Sequence, residues 1–233
     1  MKKYKSNSTF ILLFITAIAP LIFSCSAINK KNGTTDSKQK QTINTELAEE
    51  LKRMHRVDQE VFSPGRFTSR KQIQEWMKTK DSVTTTHQKR AAEILDQHGY
   101  PGYDLVGVEA SDSYWIIVQH ADHAPDFQAE VLDKMKEEVA KSNATSSKMA
   151  LLFDRVQRNN DKPQRYGTQV TYNKETCRAI PQELEDREKV SKLRAEVGLP
   201  PLTEYLNRMT LNFYNNNRKK CEEKGIMEPP LNE

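Results

Sequence analysis

Residues 111–123 read Ser111-Asp-Ser-Tyr114-Trp-Ile-Ile-Val118-Gln119-His120-Ala-Asp122-His123, and the assignment of the apolar run at their centre decides the fold. Five consecutive apolar residues, Tyr114 to Val118, suit a buried strand or a buried helix equally well by periodicity alone. Ser111 and Ser113 are capping residues just upstream, and the run passes straight into the polar Gln119–His123 segment. Both features favour a helix. With that run helical, nothing long and β-rich is left in the centre of the chain, and the expected class is mainly α.

Working outward, the dominant period is helical. Leu47, Leu51, Met54 and Val57 recur at four and three behind Asn44, a residue suited to cap the first helix. Ser69-x-x-Gln72 has the pattern of a capping box ahead of Ile73, Trp76 and Met77. Asp81 can open a further helix through Val83, His87, Ala91, Ile94 and Leu95, stopped by Gly99. On the other side, Pro125 leads an amphipathic stretch with Phe127, Val131, Leu132, Met135 and Val139. Met149, Leu152, Phe153 and Val156 follow Ser146. Val190, Leu193 and Val197, then Leu202, Tyr205, Leu206, Met209 and Phe213, complete the helical pattern. The exception is Arg165–Tyr172, which alternates and can turn at Asn173-Lys174 into Thr176–Ile180 as a small hairpin. No internal repeat and no glycine-rich phosphate loop is present. The expected architecture is one helical domain over residues 44–214 with a single β-hairpin, followed by a flexible C-terminal tail at 215–233.

The first 25 residues carry a different message. Lys2, Lys3 and Lys5 precede an apolar core, Phe10–Ala19, which ends at Leu21-Ile22-Phe23-Ser24-Cys25. That layout is a secretory signal, and its ending resembles the lipobox of bacterial lipoproteins. The expected organisation is a signal peptide at 1–24, a lipidated Cys25 and a polar, disordered tether at 25–43. An uncleaved anchor is disfavoured, because the core is shorter than the ~20 residues that a spanning helix needs and is interrupted by Pro20. Lys-Lys rather than acidic residues after Cys25 directs the expectation to the outer membrane, facing the periplasm. Three of the lysines lie in the signal, so the formal charge falls from +4 to +1 once it is removed. Such a balance offers no basis for nucleic-acid binding. Cys177 and Cys221 are the other two cysteines; in an oxidising compartment they are either a disulfide or two free thiols, and spacing does not decide between them.

Three polar clusters stand out from the helical background: Gln119-His120-Ala-Asp122-His123, Asp154-Arg155, and Gln164-Arg-Tyr166-Gly-Thr-Gln169. Together with Phe127-Gln128 and Leu199-Pro-Pro-Leu-x-x-Tyr205, their order resembles an uncharacterised bacterial family of unknown function (number 6624 among such domains) over roughly residues 45–210. Asp58-Gln59 and Gly99-x-Pro101 are allied to the same pattern. The resemblance implies no established activity, cofactor or substrate. On their own chemistry, His120 and Asp154 are the candidates for acid–base work, with Asp122 or Asp154 orienting the imidazole. Gln119, Asp122, Arg155, Gln164, Tyr166 and Gln169 are the candidates for holding a small polar ligand or an envelope partner. Two active readings follow, a binding module and a hydrolase. Against both stands a structural reading in which the polar groups satisfy one another and pin the hairpin to the helices. No metal site is expected, since His120 and His123 lack a third ligand in a zinc-type spacing, and no cofactor is implied. The Gln164–Gln169 segment is expected to meet Gln119–Asp122 in space, because its polar side chains need buried partners.

Overall fold

A computed structural model describes residues 42–232. The signal peptide, Cys25 and most of the tether lie outside the described residues. Eight helices and one two-stranded hairpin are present among them: α1 (Thr45–Phe62), α2 (Arg70–His98), α3 (Tyr103–Val106), α4 (Val108–Gln119), α5 (Pro125–Ala140), α6 (Ser146–Asn159), β1 (Val170–Asn173), β2 (Arg178–Pro181), α7 (Val190–Glu196) and α8 (Leu202–Glu222). The chain is mainly α, as the periodicity requires.

The ambiguous run 114–118 is helical, and it is the centre of the core. Tyr114, Ile117 and Val118 of α4 pack with Leu47, Leu51 and Met54 of α1, Ile94 and Leu95 of α2, and Val131, Leu132 and Met135 of α5. A buried helix can be apolar nearly all round, which is why this stretch lacks a clean stripe. The Tyr114 hydroxyl donates to the Ala91 carbonyl at 3.1 Å, so the one polar atom of that side chain is satisfied inside the core. α1 and α2 flank α4, while α6 pairs with α5.

Several boundaries differ from the sequence reading, each for a physical reason. Asn44 and Ser69 do cap α1 and α2, accepting from the Leu47 and Gln72 N–H groups. Asp81 starts no helix, because α2 runs unbroken from Arg70 to His98 with no glycine or proline to stop it. Gly99 ends it with φ +72°, a conformation that glycine adopts without strain. Val57 is 41% exposed, and Asp58, four residues beyond Met54, takes the inward position with 1% exposure. The hairpin begins at Val170, so Arg165–Gln169 is a loop rather than a strand. Its turn is held by Asn173 Oδ1, which accepts from the Glu175 and Thr176 N–H groups.

The last helix does not stop near residue 214. It continues, across a kink at Asn217, to Glu222, where Cys221 is bonded to Cys177 at the hairpin turn in a disulfide buried at both ends. Beyond it the chain folds back: the Tyr214 hydroxyl donates to the Met227 carbonyl at 2.6 Å, and Asn232 N–H donates to Asn207 Oδ1 at 2.7 Å. Residues 215–232 therefore belong to the packed unit that the sequence reading closed at 214. No helix among the described residues is long and apolar enough to cross a membrane.

Candidate functional site

The polar signature resolves into two networks with α6 between them. The first is built around Asp154, which is fully buried on α6. Its Oδ1 accepts from the Arg165 and Tyr166 N–H groups at 2.8 and 3.0 Å. Its Oδ2 accepts from the Thr168 N–H and Thr168 hydroxyl, both at 2.9 Å. A carboxylate is the group that can take this many donors, so one side chain fixes the whole loop. Burial pushes the Asp154 carboxyl pKa up, while the donors from Thr168, Tyr166 and Arg165 pull it back.

The rest of the loop is equally committed. Gln164 Nε2 donates to the Gln169 carbonyl and its Oε1 accepts from the Gln169 N–H, so the side chain mimics a paired strand across five residues. The Gln169 side chain donates to the Thr168 hydroxyl. Tyr205 donates to the Thr168 carbonyl at 2.7 Å. Arg194, buried on α7, donates from Nη1 to the Tyr166 carbonyl at 2.6 Å and from Nε to the Pro200 carbonyl at 2.7 Å. Asp154 thus grips the N–H side of Tyr166 and Arg194 its carbonyl side. Gly167 at φ +67° makes the turn between them, and a Cβ there would come within 3.0 Å of Leu202 Cδ1.

The second network faces the other side of α6. Arg155 Nε donates to Gln119 Oε1 at 2.7 Å, and its Nη1 meets both oxygens of Asp122. Asn159 donates to Asp122 Oδ1 and to Gln128 Oε1, and Gln128 Nε2 donates to the Val118 carbonyl. Burial pushes the Asp122 carboxyl pKa up, but the Arg155 charge and the bonds donated by Asn159, Arg155 and Gln128 outweigh it and hold it below the usual carboxylate range. Asp122 does not cap α5, whose N-cap is Ala124 without a side-chain bond. The signature segments expected to meet are joined through adjacent residues of α6: Asp154 holds one and Arg155 holds the other.

His120 stands apart from Asp154. It ends α4, and its Nδ1 faces both oxygens of Asp58 at 2.8 and 2.9 Å. Neither Asp122 nor Asp154 orients it. Phe62, at the end of α1, stacks on the imidazole with ring centroids 3.6 Å apart, and the Lys80 ammonium lies 4.9 Å from the Phe62 centroid. Gln59 Nε2 donates to Asp58 as well. The imidazole keeps 15% of its surface, and among the described residues no side chain or backbone group bonds to Nε2. An Asp-held imidazole with an open second nitrogen is equipped to accept or deliver a proton, or to hold a polar ligand.

Two more histidines surround Asp58. Burial pushes the imidazole pKa of His55 down, against the attraction of Asp58, and burial does the same to His87. His87 Nδ1 is buried without a partner. Ser113 lies 3.2 Å from His55 Nδ1, but its hydroxyl proton goes to the Glu109 carbonyl and the residue is buried. It is therefore not an activated nucleophile. His123 is exposed on the loop after α4, and no group of three or more His, Cys, Asp or Glu residues among the described residues is arranged to hold a metal ion.

Asp58 is the residue that sequence reasoning placed only loosely. The available signal was register: 47, 51, 54 and 58 continue the α1 stripe, so a carboxylate stands where an apolar residue belongs. Arg194 gave no comparable signal, since a basic residue in a short helix next to a glycine reads as surface.

No curated protein and no solved structure matches the chain. One family model, described as a family of unknown function (DUF6624), matches residues 45–217, a span that takes in both networks and the His120–Asp58 pair. The chain belongs to that family.

Proposed function

We propose that this is a bacterial lipoprotein, tethered through Cys25 to the outer membrane and facing the periplasm, whose helical domain binds a small polar ligand or an envelope partner at the His120 rim. The observation that carries the binding reading is the His120–Asp58 pair, with Nδ1 held at 2.8 Å and Nε2 open. With Nδ1 occupied by Asp58, the exposed Nε2 is the ring position left free to meet a solute from water. The adjacent residue, Gln119, also ends α4 with its Nε2 buried and unpartnered. Gln119 Oε1 is fixed by Arg155 Nε, so the amide cannot flip to relieve it. The signal-like segment at 1–25 and a buried disulfide both suit an oxidising compartment outside the cytoplasm.

A thermal-shift screen of the mature chain with phosphate, citrate and glucosamine tests the binding reading, with His120→Ala and Asp58→Asn as controls. At least one solute should stabilise the wild type and lose its effect in both variants. Equal stabilisation in the variants, or none in any protein, would refute it. Fractionation tests the tether: Cys25→Ala should leave the membrane fraction.

The dyad geometry also favours a second reading, in which His120 acts as the acid–base group of a hydrolase with Asp58, not Asp154, as its orienting carboxylate. Turnover of p-nitrophenyl acetate or phosphate that is lost in His120→Ala would support it, and turnover unchanged in that variant would end it.

A further inference from the structure

The signature hexapeptide leaves one side chain outside both networks. Gln164, Tyr166, Thr168 and Gln169 turn inward, whereas Arg165 points out, with 40% of its side chain exposed. It opens onto a cleft of ≈ 430 Å³ lined by Arg165, Glu185, Asp186, Lys189 and Leu193. That volume lies within the range of small-ligand sites.

The walls of the cleft are fixed by backbone bonds. The Gln164 N–H donates to the Glu183 carbonyl at 2.9 Å and the Glu185 N–H to the Gln164 carbonyl at 2.8 Å, so the acidic wall is laced to the signature loop. Asp186 Oδ1 accepts from the Glu188 and Lys189 N–H groups at 2.9 and 3.1 Å, which sets where Lys189 stands. The Arg165 guanidinium lies over the Phe153 ring at 4.7 Å, a cation–π contact that anchors it at the cleft. Two cations and two carboxylates thus face one small volume, paired as Arg165–Glu185 at 3.0 Å and Lys189–Asp186 at 2.7 Å.

Exposed ion pairs of this kind add little to stability, so their partners can be exchanged at low cost. A simple anion entering the cleft would meet the two carboxylates, and a simple cation would meet Arg165 and Lys189. A ligand carrying both charges satisfies all four groups. We infer that the Arg165 cleft binds a small zwitterion, an amino acid or the ends of a short peptide, with its carboxylate on Arg165 and Lys189 and its ammonium on Glu185 and Asp186. The site is separate from the His120 rim and does not depend on the reading given to it.

Titrating L-alanyl-L-alanine into the ¹⁵N-labelled mature chain tests this directly, with N-acetyl-L-alanine and L-alanine amide as half-blocked probes. The dipeptide should give saturable shifts around 164–166, 185–189 and 193, and each half-blocked probe should bind roughly tenfold more weakly. Arg165→Met, which keeps a stem against Phe153, and Glu185→Gln should each weaken the dipeptide by about the same factor, while Lys136→Ala, an exposed residue of α5 outside the cleft, leaves it unchanged. No saturable shift up to roughly 10 mM, equal binding of a half-blocked probe, or indifference to both cleft variants would overturn the proposal.

Discussion

Asp154 and Asp58 are both buried carboxylates, one at the centre of the sealed loop network and the other at the root of the His120 rim, and they are used in opposite ways. Asp154 spends its oxygens on the backbone and hydroxyl of a single loop, and the groups around it are in turn satisfied by Gln164, Tyr205 and Arg194. Asp58 spends its oxygens on a side chain that still reaches solvent. The first arrangement ends inside the protein. The second ends at an open nitrogen. Equal density of polar residues in a sequence therefore gives no measure of chemical availability; what separates the two is whether the chain of bonds reaches solvent, since the first ends at Arg194, whose Nη2 is buried without a partner, and the second at a half-buried imidazole.

The largest effect should come from breaking the sealed side. Asp154→Ala strips the acceptor from three N–H groups and a hydroxyl at once, all buried except the half-buried Arg165 N–H, and should cost about 3–5 kcal/mol by urea unfolding. A loss below about 1 kcal/mol would mean that the loop holds itself and that the contrast with Asp58 is false.

A smaller effect is expected from acid on the open side. His55 and His87 have pKa values pushed down by burial in the fold, so the unfolded chain binds their protons first as pH falls through about 6.5. Stability should be flat above that pH and decline below it. The decline should be shallower in His87→Gln, a variant that cannot charge. Identical Tm-against-pH curves for wild type and variant would remove His87 from the explanation.

The smallest effect should follow from Gln119→Leu. It removes a buried Nε2 that has no partner, and it leaves Arg155 Nε at a partly exposed position where water can replace Gln119. Chemical unfolding should register a change within about 1 kcal/mol. A much larger loss would show that Gln119 is part of the scaffold and not of the rim.

These contrasts mark how far the sequence could be read. Helix-forming stripes such as 47, 51 and 54, the caps at Asn44 and Ser69, and the stop at Gly99 are local signals, and the structure follows them. The existence of the hairpin and its Asn173 turn were legible, but the alternation from Arg165 placed the first strand five residues too early. The composition of the site was also legible, as a set of polar residues in a fixed order. Its pairing was not, because His120 and Asp58 lie 62 positions apart and are brought together only by the packing of α4 on α1. Reading the α1 stripe through Val57 hid the one inward carboxylate. Asp154 is an acid–base candidate by residue type alone, and the sequence carries no sign that its oxygens are committed to the backbone and hydroxyl of residues 165–168.

The tautomer of His120 tests the division between a sealed and an open carboxylate most directly. A long-range ¹H–¹⁵N spectrum of the mature chain, recorded at a pH where the ring is neutral, reports which nitrogen carries the proton. Asp58 as an ionised acceptor requires Nδ1–H, with the lone pair of Nε2 facing out, and Asp58→Asn should shift the balance between the two forms. A neutral ring protonated at Nε2, unchanged in Asp58→Asn, would contradict the oriented dyad and leave the His120 rim with no chemistry that Asp58 supplies.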